Sequence, residues 1–133
     1  MNRILFLLLI VSFPSLLFAQ PGTLDSSFGA NGIVRTFVNS SNAKLTAMAI
    51  QPDDKILAAG YDRYDTTNFK NAFVVIRYTA DGILDSSFAT NGKMMYNFGN
   101  GNAIANAIKV QADGKIVVAG RSSAPGLIGM ASI

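Results

Sequence analysis

The sequence predicts an all-β fold of stacked, repeated sheets, entered through an apolar leader. Three observations carry this. Residues 22–32, GTLDSSFGANG, recur as GILDSSFATNG at 82–92, a shift of 60 residues. The same shift lays AMAIQPDDKILAAG (47–60) on AIKVQADGKIVVAG (107–120), and Asn42-Ala43 on Asn102-Ala103, without a gap. The runs ILAAG, FVVI and IVVAG are apolar at both alternating positions, as in strands covered on two faces rather than in a sheet with one wet face. Two long matches in one register establish internal repetition, which sets the frame for every other reading.

The chain opens MNRILFLLLIVSFPSLLFAQ. Arg3 is a short positive start, residues 4–18 are almost wholly apolar, and Ala19 precedes polar Gln20. This is the layout of a secretory signal peptide over 1–19, a signal helix cut after Ala19, although Leu17 is large for the third position before the cut. An anchor needs about 18 or more apolar residues, and Pro14 interrupts a shorter run here. No stable membrane span is expected, and export to the cell surface or medium is.

Residues 20–133 then form one small domain of two repeats, 22–81 and an incomplete 82–133. The chain has no Cys, His or Trp, and all eight of its acidic residues are Asp. Disulfides are excluded, so packing alone must stabilise the exported chain. The formal charge is +3, or +2 without Arg3, and the basic residues are scattered, so no nucleic-acid footprint is expected.

The elements follow in order. Leu24, Asp25 and Phe28 open a turn that Asn31-Gly32 closes, and a strand is expected at 33–38. Strands follow at 44–51 and 55–61, joined through Asp53-Asp54. The stretch YDRYDTTN (61–68) reads as a loop, with the next strand at 72–78. Asp81-Gly82 turns the chain into the second copy, Leu84, Asp85 and Phe88, closed by Asn91-Gly92. Strands at 94–98, 104–111 and 115–120 complete the set. Asp113-Gly114 between the last two is expected to be a two-residue hairpin turn with φ > 0 at both central residues. Four strands per repeat, stacked face to face, make a partial β-propeller: one full four-stranded blade with partial blades on either side. A β-sandwich does not account for the 60-residue period.

LDSSF, written twice, is read as architecture. Leu and Phe anchor the turn under the strands, where at about 25 cal/mol per Å² they contribute several kcal/mol. Asp25 and Asp85 accept backbone N–H bonds, and the serines are ordinary turn residues. A catalytic serine needs a base, and the chain has no His. Lys55 and Lys115 stand beside hairpin turns, where a solvated Lys is expected. Asp25 and Asp85 as a glycosidase pair would need a separation of about 5 to 10 Å, which equivalent positions on different blades do not provide. Asp62, Asp65 and Asn68 offer oxygen ligands of the kind calcium takes, yet their spacing is not that of an EF-hand loop. No catalytic residue, metal or cofactor is therefore assigned. Tyr61, Arg63 and Tyr64 are the expected exposed binding surface, because amphipathic aromatics and Arg favour interfaces.

Three blocks carry a resemblance. They are G-x-L-D-x-S-F-G-x-N-G at 22–32, A-x-x-x-Q-x-D-G-K-I-x-x-A-G at 107–120, and F-x-x-x-R-Y-x-x-D-G at 73–82. In this order and spacing they resemble the delta-60 repeat of bacterial secreted and cell-surface proteins, over essentially all of the chain from 22 to 120. The resemblance implies a propeller of many such repeats, with no general catalytic site to carry over. Ala89 in place of the motif Gly and Asp54 in place of the hairpin Gly depart from it.

The expected function is therefore that of a non-catalytic repeat module, a scaffold or a binder of protein or glycan at the cell surface. The alternative is the supporting part of a secreted enzyme whose catalytic residues lie beyond Ile133. Shifted by 60, Ile133 falls on Phe73, where a third strand begins. The chain is thus expected to be an N-terminal fragment of a longer propeller, completed by further blades in cis or by self-association.

Overall fold

The computed structural model describes residues 22–99, 101–123 and 130–133. Seven strands form two antiparallel sheets. The first has the order β1(Lys44–Ile50), β2(Ile56–Asp65), β3(Lys70–Tyr78), β4(Lys93–Tyr96), and the second the order β5(Ala103–Val110), β6(Ile116–Ser122), β7(Met130–Ser132). The fold is all-β, with partial propeller blades. The expected signal helix lies outside the described residues. Among the described residues, no helix is long and apolar enough to cross a membrane.

The two-faced apolar runs do what their pattern requires. Leu57, Ala59, Phe73 and Val75 leave one face of the first sheet and meet Ala103, Ala105, Ile116 and Val118 of the second in one buried cluster. Ala58, Val74 and Ile76 leave the opposite face and pack with Val38, Tyr78, Leu84 and Met95. Strict alternation along β2 and β3 thus gives two cores from two strands. Phe73 is wholly buried, with its ring edge-on to Phe98 at 4.8 Å.

The repeat is also written in the backbone. A bulge between Leu45 and Ala47 of β1 recurs between Ala105 and Ala107 of β5. The Thr46 hydroxyl at the first bulge reaches the carbonyls of Ala59 (3.1 Å) and, in the other sheet, Ala105 (2.7 Å).

Four expectations are corrected. First, residues 33–38 are not a strand: an isolated bridge joins Ala30 and Ile33, and no ladder follows. Their side chains still alternate, with Val34, Thr36 and Val38 half-buried. Their counterparts 93–96 pair with β3 at 73–76, whose own counterparts 13–16 lie outside the described residues.

Second, the β5–β6 turn is not a two-residue hairpin. Gly114 N–H donates to Gln111 C=O (3.0 Å) and Gln111 N–H to Lys115 C=O (2.8 Å), and at 113–114 only Gly114 has positive φ. This is a type I turn followed by one left-handed residue, the three-residue hairpin. The β1–β2 turn matches it, with Pro52 at the position that favours proline and Asp54 left-handed at φ 61°.

Third, Tyr61, Arg63 and Tyr64 are strand residues. The ladder continues through Tyr61↔Phe73 and Arg63↔Asn71 to Asp65↔Lys70, so the turn itself is only 66–69. Fourth, Ile133 stands opposite Ile116, exchanging two backbone bonds (2.8 and 2.9 Å), where Tyr78 stands opposite Ile56. The offset is 55 at this point, not 60, so the β6–β7 connection is five residues shorter and the third strand is present.

Ala89 carries a left-handed backbone (φ 45°) where the first copy has Gly29 (φ 58°). The left-handed penalty for an L-residue is about 1–2 kcal/mol, and glycine's entropy returns part of it. Ala89→Gly is therefore expected to stabilise by about 0.5–1 kcal/mol, read as a rise in the urea midpoint at constant slope. Asp54→Gly should gain less, because Asp visits this region more readily.

Candidate functional site

The second LDSSF is a closed polar knot. Asp85 Oδ1 accepts from Ser87 N–H (3.1 Å) and Ser87 Oγ–H (2.6 Å), and Phe88 N–H donates to Asp85 C=O (3.0 Å). Asp85 Oδ2 takes Arg77 Nε at 2.9 Å and has Lys55 Nζ at 3.5 Å. The Arg77 guanidinium lies 4.7 Å above the Phe88 ring and donates to Ser87 Oγ (3.1 Å). Phe88 is buried and Leu84 half-buried, as the anchor reading requires.

The Ser87 bonds, aided by Arg77 and against the opposing effect of burial, hold the Asp85 carboxyl down at about 2. Such a carboxylate is too weak a base to take the Ser87 proton at neutral pH. Lys55 Nζ also lies 3.1 Å from Asp53, and Lys115 Nζ bonds Asp113 at 2.7 Å. The lowered carboxyl stabilises the fold fully above its ordinary value of 3.8, and that contribution is lost as pH falls from about 4 to about 2. Asp85→Asn is expected to flatten the stability profile in that window, measured by denaturant midpoints at a series of pH values.

The first copy repeats the turn but not the anchoring. Asp25 accepts from Ser27 N–H (2.9 Å) and Oγ–H (2.6 Å), which lower its carboxyl in the same direction. Leu24, however, is 64% exposed, and Phe28 is only half-buried, against the Gly82 turn. The expectation that Leu24 packs under strands is corrected, because the strand that would cover it lies outside the described residues. Gly32 and Gly92 hold equivalent places, each so close to the preceding Leu that a Cβ would meet it at 2.6 Å.

The hairpin end of the first sheet is a second cluster. Asp62 is fully buried and accepts from the N–H groups of Asn39 and Ser40 (2.8 Å each), the Ser40 hydroxyl and its neighbour Arg63 N–H (2.7 Å). Burial pushes its carboxyl up, and these donors outweigh it and hold it below the ordinary range. Tyr64 Oη donates to Gly101 C=O (3.2 Å), and Asn71 N–H to Asn102 Oδ1 (2.9 Å). Tyr61, Arg63 and Tyr64 are all half-buried.

The exposed group here is one that sequence reasoning missed. Phe69 is 65% exposed on a left-handed backbone (φ 56°), with the Arg63 guanidinium 4.8 Å from its ring centre. Arg63 Nε has no hydrogen-bond partner. An Arg and an aromatic face stacked at a sheet end can receive a planar or anionic group.

Asp62 and Asp65 do not converge. Asp65 accepts from Thr67 N–H and Asn68 N–H (3.0 Å each) and from Asn68 Nδ2 (2.8 Å), inside its own turn. Among the described residues, no group of three His, Cys, Asp or Glu side chains could hold a metal ion.

A family model described as a domain of unknown function (DUF5122), β-propeller, matches residues 51–88 and 111–127. The matched stretches contain β2, β3, the second LDSSF knot and most of β6, so the repeats are of propeller type. No curated protein and no solved structure matches the chain.

Proposed function

We propose that this chain is a non-catalytic repeat module of a secreted or cell-surface protein, of the delta-60 kind, exported by a cleaved signal peptide. It acts as a scaffold that presents the hairpin end of its blade to a protein or glycan. The observation that carries the reading is the Arg63–Phe69 stack, exposed at the end of a rigid four-stranded sheet. Arg and aromatic residues are the side chains over-represented among binding hot spots. The repeated acid and hydroxyls support it from the other side, since their atoms are used in holding turns.

The test is binding of the purified protein to intact cells and to their surface polysaccharide. Phe69→Ala with Arg63→Gln is expected to weaken binding about tenfold or more, the scale of a lost hot spot. Tyr64→Ala is expected to act mainly through stability, because its hydroxyl serves Gly101. Unchanged binding by the Phe69 and Arg63 variants would refute the assignment of this surface.

A further inference from the structure

One face of the first sheet is open. A groove of about 350 Å³ runs along it, lined by Val34, Val38, Leu45, Met48, Ala58 and Val74 among others. Leu45 is 57% and Met48 60% exposed.

The repeat shows what such a face receives. Shifted by 60, Leu45, Met48, Ile56 and Ala58 become Ala105, Ile108, Ile116 and Val118. In the second sheet those residues are packed against Leu57, Ala59, Phe73 and Val75 of the first. The same face of the repeat is thus covered once and open once within one molecule. The covering positions of β2, Leu57 and Ala59, recur as Val117 and Ala119 on β6, which point away from the first sheet.

Strand count gives a second, independent observation. The second sheet has three strands, and β7 pairs only with β6 among the described residues. By register, Met130 and Ala131 stand where Val75 and Ile76 stand, opposite Ala119 and Val118. Val75 and Ile76 each pair with a β4 residue, Met94 and Lys93. The β4 counterparts 33–36 are present in this chain, beside the groove and without a ladder. One sheet lacks its fourth strand, and one fourth strand lacks its sheet.

We propose that the groove is the docking site for the three-stranded sheet of a second copy of this chain, and that residues 33–36 become its fourth strand. Val34 then pairs with Met130 of the second copy, and Ile33 with its Ala131. The added ladder satisfies the open edge of β7 and buries Leu45 and Met48. The contact is heterologous, joining two different faces, so copies add head to tail and close into a ring or extend as a chain. This goes beyond the proposed binding function and does not depend on it.

The chain has no cysteine, which makes the register directly testable. Val34→Cys and Met130→Cys proteins are oxidised separately and mixed. Paired positions in adjacent strands lie within disulfide reach. The mixture is expected to give a disulfide-linked dimer as its main product, and neither variant alone to do so. Wild-type mass by sedimentation is expected to rise with concentration. Met48→Asp, at an exposed position, is expected to abolish that rise with the far-ultraviolet β signal unchanged. Three results would each overturn the proposal. These are no enrichment of dimer in the mixture, a double-cysteine chain that closes on itself as a monomer, and a wild-type chain monomeric at every concentration. If the cysteine variants misfold, wild-type and Met48→Asp sedimentation decides alone.

Discussion

Phe73→Ala is expected to cost about 3–5 kcal/mol, the range for removing a fully buried aromatic ring. Against a domain stability of about 5–15 kcal/mol, this takes most of the margin. The ring is wholly buried between the two sheets, edge-on to Phe98, and would lie 2.7 Å from a Cβ at Gly120. Truncation leaves a cavity at the one surface that joins the repeats, and neither sheet can close it without sliding over the other. Phe37 is the internal control: it is 85% exposed, and Phe37→Ala should change stability by less than about 0.5 kcal/mol. Urea titration followed by circular dichroism measures both. Equal effects would show that the two sheets do not pack through Phe73.

Gly60→Ala tests the repeat at its tightest point, and the sign decides. On backbone entropy alone, replacing glycine inside a strand should stabilise by about 0.5–1 kcal/mol. The structure predicts a loss of about 1–3 kcal/mol or more, as for overpacking. An added Cβ would stand 1.9 Å from the Lys44 carbonyl oxygen and 3.0 Å from Leu45 Cα, both backbone atoms beside the β1 bulge. Gly120 is held in the same way, 2.1 Å from the Ile104 carbonyl oxygen beside the β5 bulge. The bulge brings one strand so close to the next that only glycine fits opposite it. A stabilised Gly60→Ala protein would mean that the bulge is absent in solution.

Much of this was legible in the sequence because the repeat is nearly gapless. The two-faced runs located β2, β3 and β6, and LDSSF followed by Asn-Gly located both turns. The role of Arg77 was not legible, since its partner Asp85 lies eight residues later and the intervening turn brings the two together. Residues 33–38 have strand composition, but a strand needs a partner, and composition does not say where the partner lies. The short β6–β7 connection was hidden for a different reason: RSSAPGLIGMASI matches nothing 60 residues earlier, so only backbone pairing reveals the offset of 55. At the hairpin end, reading 61–68 as a loop placed the exposed surface at Tyr61 and Tyr64. The ladder runs on to Asp65, half-buries both tyrosines and moves the exposed aromatic to Phe69. The left-handed Phe69 had no signal in its residue type, since such a backbone is rare for bulky side chains.

The central claim is that the two repeats stack face to face through Phe73. The most direct test is an isotope-filtered nuclear Overhauser measurement from the Phe73 ring to the Gly120 α-protons. These groups are far apart in sequence and in contact range across the two sheets. A strong cross-peak is the predicted result, accompanied by peaks from the ring to Phe98. A Phe73 ring that shows peaks only to its own sheet would contradict the stacking of the repeats.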